Sequence, residues 1–161
     1  MNSAVMARTW QDRFGPSFYH FLYKDALFLV LNSELFGMVG REDTPVPGPW
    51  TQAEQMAFVD RALEQNRDVR WTIVLVHQPL WDLRTIDEDW LRVEELLGSR
   101  DYTVFAGHFH RYTRHIRRDR RYITLATAGG GSQLRGPAFG EFNHVVWVSM
   151  TDKGPASPTC S

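Results

Sequence analysis

The sequence predicts an α/β fold, because short apolar runs typical of buried strands alternate with segments of helical periodicity. Three runs are apolar or β-branched and end at polar residues or glycine: Ala26–Leu31, Trp71–Val76 and Thr103–Ala106. None of them alternates strictly, so we expect strands that are covered on both faces. Helical segments fall between these strands, and this order indicates a largely parallel sheet.

Two helices are predicted between the strands. Thr51 begins the first, and Glu54 completes a capping box in which each side chain satisfies a free backbone donor. The apolar residues of this helix recur at helical spacing and are expected to face the core: Met56, Val59, Ala62 and Leu63. Asp87 is predicted to cap a second helix over Glu88–Leu97, and Gly98 to end it.

Two hairpins are also predicted. Phe18–Tyr23 and Ala26–Leu31 flank a two-residue turn at Lys24-Asp25. Further along, Tyr112–Arg117 and Arg121–Thr127 alternate around a second turn at Arg118-Asp119-Arg120.

The other segments are less regular. Trp10 and Phe14 are expected to anchor a mixed, polar N-terminal stretch. Phe36–Trp50 and Ala128–Gly140 are rich in glycine and proline and are predicted as loops, the second of them flexible and near the site. His144–Met150 is predicted as a last strand.

Length and composition limit the function classes. With 161 residues the chain is expected to form a single domain over residues 1–150, followed by a frayed polar tail over 151–161. A net charge of −1 argues against a general nucleic-acid-binding protein. The apolar runs are too short to span a bilayer, so no membrane partner is expected. The first residues lack the apolar segment of a signal peptide, which leaves the compartment open and favours the cytoplasm slightly.

Three histidines follow the ends of predicted strands. His77 comes directly after the second strand, and His108 and His110 come after the third, preceded by Gly107. Alternation along an extended chain is expected to put His108 and His110 on the same side. Sites gather at the carboxyl ends of parallel strands, and neutral imidazole is a common metal ligand. His77 taken alone is more often a structural residue, but together the three histidines favour a metal site.

The residues around these histidines resemble a known family. The order VLVHQPLW, then VFAGHFHRYTR, resembles the last two motifs of the calcineurin-like metallophosphoesterase superfamily, and is similar to its purple acid phosphatase branch. Gly107 to His110 match the Gly-His-x-His motif, and His77 matches the single histidine before it. The segment FGPSFYHFLYKDALFLVLNSE also resembles the part of the family that follows its Gly-Asn-His motif. The resemblance implies a β-sandwich flanked by helices, of which this chain carries the second half.

Earlier motifs of that family are absent. The chain contains no Asp-x-His, Gly-Asp-x-x-Asp or Gly-Asn-His-Asp/Glu, and its Asn143–His144 pair lies after Gly-His-Phe-His in another context. The resemblance therefore implies a phosphoesterase domain that is truncated at the N-terminus and lacks its N-terminal metal motifs. The catalytic histidine of the family belongs to a missing motif, so no catalytic residue is assigned.

What the resemblance implies for cofactors follows from the ligands that remain. The family holds two iron, manganese or zinc ions, and the resemblance implies that His77 and His108 bind one of them and His110 the other. The bridging and terminal carboxylates belong to the missing motifs, so we expect an incomplete site with one metal or none, and little activity from this chain alone.

Other polar residues are assigned by position. Arg111 and Arg114 lie nearest the histidines and are expected to contact a phosphoester substrate. The remaining arginines up to Arg121 are interpreted as the solvated face of a hairpin. Glu34 follows a strand end and is a candidate for supporting a ligand, although a solvated carboxylate is favoured. Three histidines are interpreted as structural or surface residues: His20, His115 and His144.

An alternative function stays open. The chain is also compatible with a non-catalytic binding or assembly domain of the same ancestry. Strands that are apolar on both faces need cover on two sides, and half of the family fold would leave some of that surface bare. We therefore expect a homo-oligomer joined through exposed sheet.

Overall fold

The computed structural model describes residues 4–36, 50–82, 86–151 and 153–156. They form a mixed sheet of six strands with helices packed against it, which confirms the predicted α/β class. Most of the predicted loop Phe36–Trp50 lies outside the described residues. None of the helices in the described ranges is long and apolar enough to cross a bilayer.

The helices are Ala4–Phe14 (α1), Gln52–Gln65 (α2) and Glu88–Leu97 (α3), with short 3₁₀ turns at Ser33–Leu35 and Pro137–Phe139. The strands are Tyr19–Tyr23 (β1), Ala26–Leu31 (β2), Trp71–Val76 (β3), Tyr102–Ala106 (β4), Thr113–Arg117 (β5), Arg120–Thr124 (β6), Ser149–Thr151 (β7) and Gly154–Ala156 (β8).

The large sheet has the strand order β1-β2-β3-β4-β6-β5. Its four inner strands are parallel, with Leu29, Val74, Val104 and Tyr122 side by side in register. The outer strands β1 and β5 are antiparallel to their neighbours. All four inner strands therefore end at the same edge of the sheet.

Caps and turns form where the sequence predicts them. Thr51 Oγ1 accepts from the Glu54 amide at 3.2 Å, and Glu54 accepts from the Thr51 amide at 2.7 Å, which completes the capping box of α2. Asp87 caps α3 by accepting from two amides of its first turn. Gly98 follows the helix with φ +54°, a conformation that glycine adopts at little cost.

The two hairpin turns share one geometry. Lys24 and Asp25 have φ values of +47° and +60°, and Arg118 and Asp119 have +48° and +59°. Positive φ at both central residues defines the type I′ turn, whose twist matches that of paired strands. The second turn thus has two residues, and Arg120 belongs to β6.

The sheet has one well-covered face and one partly covered face. Helices α2 and α3 pack on the first, where Leu27, Leu29 and Trp90 are fully buried. On the second face Phe105 and Ile123 are buried beneath the segment 146–150, but other apolar residues of β2 and β3 stay partly exposed. Cover on both faces is therefore achieved for β4, whose residues are all buried, and only in part for β2 and β3.

A buried carboxylate joins α3 to the hairpin β5–β6. Glu94 is fully buried and accepts hydrogen bonds from Trp90 Nε1 at 3.1 Å, Tyr122 OH at 2.9 Å, Arg117 at 2.8 and 3.0 Å, and Arg118 at 3.2 Å. Burial raises the pKa of Glu94, but the hydrogen bonds from Arg117 and Tyr122 outweigh it and hold the pKa below its usual value. The carboxylate therefore remains charged and paired inside the protein.

The arginine-rich hairpin corrects one prediction. It is not a solvated face, because Arg117 and Arg118 bind Glu94 and Arg121 donates to a carbonyl of β8. Arg120 donates to two backbone carbonyls that follow α3, at 2.8 and 3.1 Å. These carbonyls belong to Ser99 and Arg100 in the connection between α3 and β4, so Arg120 ties the hairpin to that connection.

Both ends of the chain also differ from the prediction. The N-terminal stretch forms α1, and its expected anchors Trp10 and Phe14 are 48% and 67% exposed, with their rings tilted against each other and their centroids 4.8 Å apart. Part of the tail is ordered as β8, where Gly154 packs so closely on the Trp71 ring that no Cβ would fit. For Gly154 the deciding contact is with a residue distant in the sequence, and composition gives no sign of it.

The predicted last strand is largely absent. Of His144–Met150 only Ser149 and Met150 fall in a strand, β7, which pairs with β8. Val146 and Val148 pack on the sheet while Val145 and Trp147 face outward, so the alternation is present. Within the described ranges no neighbouring strand pairs with 144–148, which explains why it does not form a ladder.

We predict that Glu94→Ala lowers the free energy of unfolding by about 3–5 kcal/mol, because the two arginines lose a buried partner. Glu95→Ala is the matched control, since Glu95 is the next residue of α3 and is exposed; it should change stability by less than about 0.5 kcal/mol. Urea unfolding followed by circular dichroism measures both. Equal stability of the two variants would contradict the structural role of the network.

Candidate metal centre

The carboxyl ends of the four parallel strands bring together every part of the candidate site. Glu34 follows β2, His77 follows β3, and the segment 107–111 follows β4. The glycines Gly130 and Gly131 come after β6, which is paired in parallel with β4. Residues far apart in the sequence thus share one edge of the sheet, as expected for open α/β sheets.

His77 and His108 are in direct contact. The Nε2 atom of His77 lies 3.3 Å from Nδ1 of His108, and the two rings meet edge to face with centroids 5.2 Å apart. The Gly107 amide donates to the His77 carbonyl at 3.0 Å, which continues the pairing of β3 and β4 beyond the strands. The predicted meeting of these two histidines at one sheet edge is therefore what the structure contains.

The segment after β4 is not extended, so the predicted alternation of His108 and His110 is wrong. Their φ values are +71° and +51°, in the left-handed region that residues other than glycine seldom occupy. The Phe109 amide donates to the Gly107 carbonyl at 2.9 Å, which closes a tight turn centred on His108. Backbone of this kind costs energy and is concentrated at functional sites.

His110 is held by the glycine loop after β6. Its Nδ1 atom lies 2.5 Å from the Gly131 carbonyl, so Nδ1 carries the proton and Nε2 keeps the lone pair. A Cβ on Gly130 would lie 2.8 Å from the ring, and only glycine permits this approach. A backbone carbonyl that orients the second nitrogen is the usual support of a metal-binding histidine.

Glu34 is more than a solvated carboxylate, which corrects the favoured interpretation. It is partly buried and accepts a hydrogen bond of 2.6 Å from Gln78, the residue after His77. Asn32 caps the turn that holds Glu34, and its amide donates to the buried Gln55 of α2 at 2.8 Å. Gln55 is a buried polar residue at the start of the apolar stripe of α2, and its position there is the signal that the sequence offered.

Electrostatics at the site favour neutral imidazole. The pKa of His77 lies below its ordinary value, because burial and the like charges of His108 and His110 disfavour the protonated form. The carboxylate of Glu34 acts in the opposite direction but does not reverse the shift. A neutral imidazole is the form that binds metals.

The geometry fits a metal ion in part. Two nitrogen ligands on a tetrahedral zinc at its usual bond length lie roughly 3.3 Å apart, which is the separation of the His77 and His108 nitrogens. In the described part of the chain, however, no group of three or more histidine, cysteine, aspartate or glutamate side chains is arranged to hold a metal. That separation suits two ligands of one ion and equally a hydrogen bond between the two rings, and the described residues do not fit a dinuclear centre.

The two arginines expected to contact substrate lie in different places. Arg111 is exposed and lines a cleft of about 400 Å³ together with Asp82, Phe109 and Glu141. Arg114 is exposed on the edge strand β5, in register with Ile123. Arg111 thus belongs to a concave surface beside the histidines, whereas Arg114 belongs to the rim of the sheet.

The other histidines have structural environments. His20 stacks against Phe58 with centroids 5.6 Å apart. His115 lies 3.6 Å from the Asp82 carboxylate. His144 packs against Phe142 with centroids 4.8 Å apart, and within the described ranges neither ring nitrogen finds a hydrogen-bond partner. None of the three contacts the His77–His108 pair in the described structure.

Comparisons with known proteins supply a structural likeness at low similarity. No protein-family model matches the chain, and no curated protein matches it. Among solved structures it is similar to GAP50, the anchor in the inner membrane complex of Plasmodium, with a TM-score of 0.46 and 15% sequence identity. The similarity covers 71% of this chain but only 39% of the length of the GAP50 chain.

We predict that in the metal-free protein His77 titrates below 6.5, and that His108→Ala raises its pKa by removing a neighbouring positive charge. The shift destabilises the folded state as the pH falls below 6.5, since the unfolded chain then binds the proton more readily. Imidazole proton resonances followed by NMR from about pH 4 to about pH 8 measure the pKa of His77 in both proteins. A His77 pKa at or above 6.5 in the wild-type protein would contradict the burial and contacts described.

Proposed function

We propose that this chain is the metal-binding second half of a metal-dependent phosphoesterase that hydrolyses phosphomonoesters or phosphodiesters. The observation that carries the proposal is the His77–His108 pair, whose nitrogens lie 3.3 Å apart at the carboxyl ends of adjacent parallel strands. The order of His77, His108 and His110 along the chain also supports the proposal, because it resembles the last two motifs of the metallophosphoesterase superfamily. Strained backbone at His108 and His110 and the oriented ring of His110 add support.

Each residue has a role in this proposal. His77 and His108 would hold one ion, and His110 would supply a ligand for a second. Bound metals would polarise the phosphoryl oxygens and lower the pKa of an attacking water. The depressed pKa of His77 keeps that imidazole available as a ligand near neutral pH. Arg111 would contact a phosphoryl oxygen from the adjoining cleft.

The proposal requires ligands from elsewhere. A dinuclear site normally includes carboxylates, and among the described residues none completes a group of three ligands with the histidines. We infer that a further segment supplies them, either in the same protein or from another chain. On its own this chain would bind a metal weakly and would lack the groups that position the attacking water.

We predict that the purified chain binds Zn²⁺ or Mn²⁺ but hydrolyses p-nitrophenyl phosphate at no more than the rate of free metal. His108→Ala should weaken metal binding roughly tenfold or more, because one of two adjacent ligands is lost. The matched control His20→Ala should leave binding unchanged, since His20 lies against Phe58. Calorimetry and a colorimetric assay measure the two quantities.

Two results would contradict this account. Metal-dependent turnover by the chain alone that His108→Ala abolishes would show that no further ligands are needed. Equal metal affinity of the wild type and His108→Ala would remove the metal site itself.

A second candidate function is supported by exposed apolar surface. The outer strand β1 pairs only with β2 in the described sheet, and Leu22 and Tyr23 on it are 56% and 59% exposed. The neighbouring helix α1 adds exposed Val5 and Met6. An unpaired, uncharged edge of this kind invites pairing with another chain, which supports a role in assembly, with or without catalysis.

We predict that the chain forms a homodimer or larger assembly through β1. Light scattering at micromolar concentration should give at least twice the monomer mass of 18.7 kDa. Leu22→Lys should shift the mass towards the monomer, because a buried lysine would lose its solvation. Ile116→Lys is the matched control, since Ile116 is 58% exposed on the opposite outer strand and should keep the assembly. A monomeric wild type would rule this candidate out.

A further inference from the structure

A cleft beside the histidine loop has features that the hydrolytic site alone does not explain. It encloses about 400 Å³ and is lined by Asp82, Phe109, Arg111 and Glu141. Phe109 lies between His108 and His110 in the sequence, and its ring centroid is 5.4 Å from that of His108. The cleft therefore adjoins the position where the proposed function places the phosphoryl group.

Charge in the cleft is unevenly paired. Asp82 lies 3.6 Å from His115, and Glu141 accepts from Arg135 Nε at 2.9 Å. Arg111 acts on Glu141 only at longer range, and within the described ranges it forms no salt bridge. Glu141 thus has a cationic partner of its own and Asp82 lies against an imidazole, which leaves the Arg111 guanidinium available to an anionic ligand.

Both Arg111 and Phe109 are positioned by the backbone. The Tyr112 amide donates to the Gly140 carbonyl at 2.7 Å, and a Cβ on Gly140 would lie 3.0 Å from Arg111 Cγ. The loop that contains Gly140 therefore packs directly on the stem of Arg111. Phe109 is 40% exposed at the end of the tight turn centred on His108, so one part of an aromatic ring is presented to solvent beside a cation.

From this juxtaposition we propose that the cleft binds the organic group of an aromatic phosphoester. The ring of the ligand stacks on Phe109, and Arg111 holds an oxygen of the adjoining phosphate. An aryl phosphate carries its ring directly on the ester oxygen, whereas a nucleoside monophosphate carries its ring one ribose away from the phosphate. Hydrolysis of such a ligand rests on the proposed function, whereas its binding needs only the cleft.

The test measures binding by the metal-free chain, in the presence of a chelator, with three probes. Phenyl phosphate and adenosine monophosphate carry an aromatic ring, and glycerol 2-phosphate does not. Amide chemical-shift titration should show that the aromatic probes bind roughly tenfold more tightly, with shifts at residues 109–112 and 140–141. Binding of phenyl phosphate alone would define an aryl site; binding of both would define a site that also accepts a ring separated from the phosphate by a ribose.

Three variants separate the contributions. Phe109→Ala should reduce the affinity for the aromatic probes to that for glycerol 2-phosphate, and Arg111→Ala should weaken all three. Arg92→Ala is the matched control, because Arg92 is an exposed arginine on α3 that does not line the cleft and should change nothing. Equal affinity of the wild type for the three probes, no detectable binding, or an unchanged preference in Phe109→Ala would each overturn the proposal. Because no metal or turnover is involved, a failure here is distinct from a failure of the phosphoesterase proposal.

Discussion

The hydrogen bond from the Gly107 amide to the His77 carbonyl, 3.0 Å long, is the constraint on which the candidate site depends. It adds one more pairing contact to β3 and β4 after both strands have ended. This bond fixes His77 and His108 at the ends of neighbouring strands, and the sheet, not a flexible loop, sets the distance between them. A parallel sheet places strand ends together only when its register is maintained, and the buried apolar row across β2, β3, β4 and β6 maintains it.

Local chemistry explains which parts of the fold the sequence could predict. The caps of α2 and α3 involve residues within one helical turn of each other, so their pattern is visible in the sequence. The same is true of β3, a run of apolar residues ended by His77, and of the two-residue turn at Lys24-Asp25. The meeting of His77 and His108 was also predictable, because parallel strand ends share an edge.

The rest depends on contacts between distant residues. Arg117 and Glu94 are separated by 23 positions, and no pattern in an arginine-rich hairpin distinguishes guanidinium groups bound to a buried carboxylate from solvated ones. The conformation of His108 and His110 was missed for a related reason: a tight turn centred on His108, closed by a backbone hydrogen bond, replaces the extended chain that alternation assumes. The contact of the His110 ring with the Gly131 carbonyl could not be predicted either, because it depends on β6 lying beside β4.

The incomplete ligand set and the partly bare face meet at the same place. An apolar groove of about 340 Å³ on the second face is lined by residues of β2, β3 and β4, among them Val30, Leu75 and Phe105, and it reaches His77 and Gly107. Apolar surface at such a groove favours cover by another segment, since burial releases water from it. A segment that covered the groove would end beside the histidines, where the proposed metal site would need carboxylates. Cover of the sheet and completion of the site are thus two requirements that one additional segment can meet, and metal affinity and stability would then rise together, because binding to the folded state alone stabilises it.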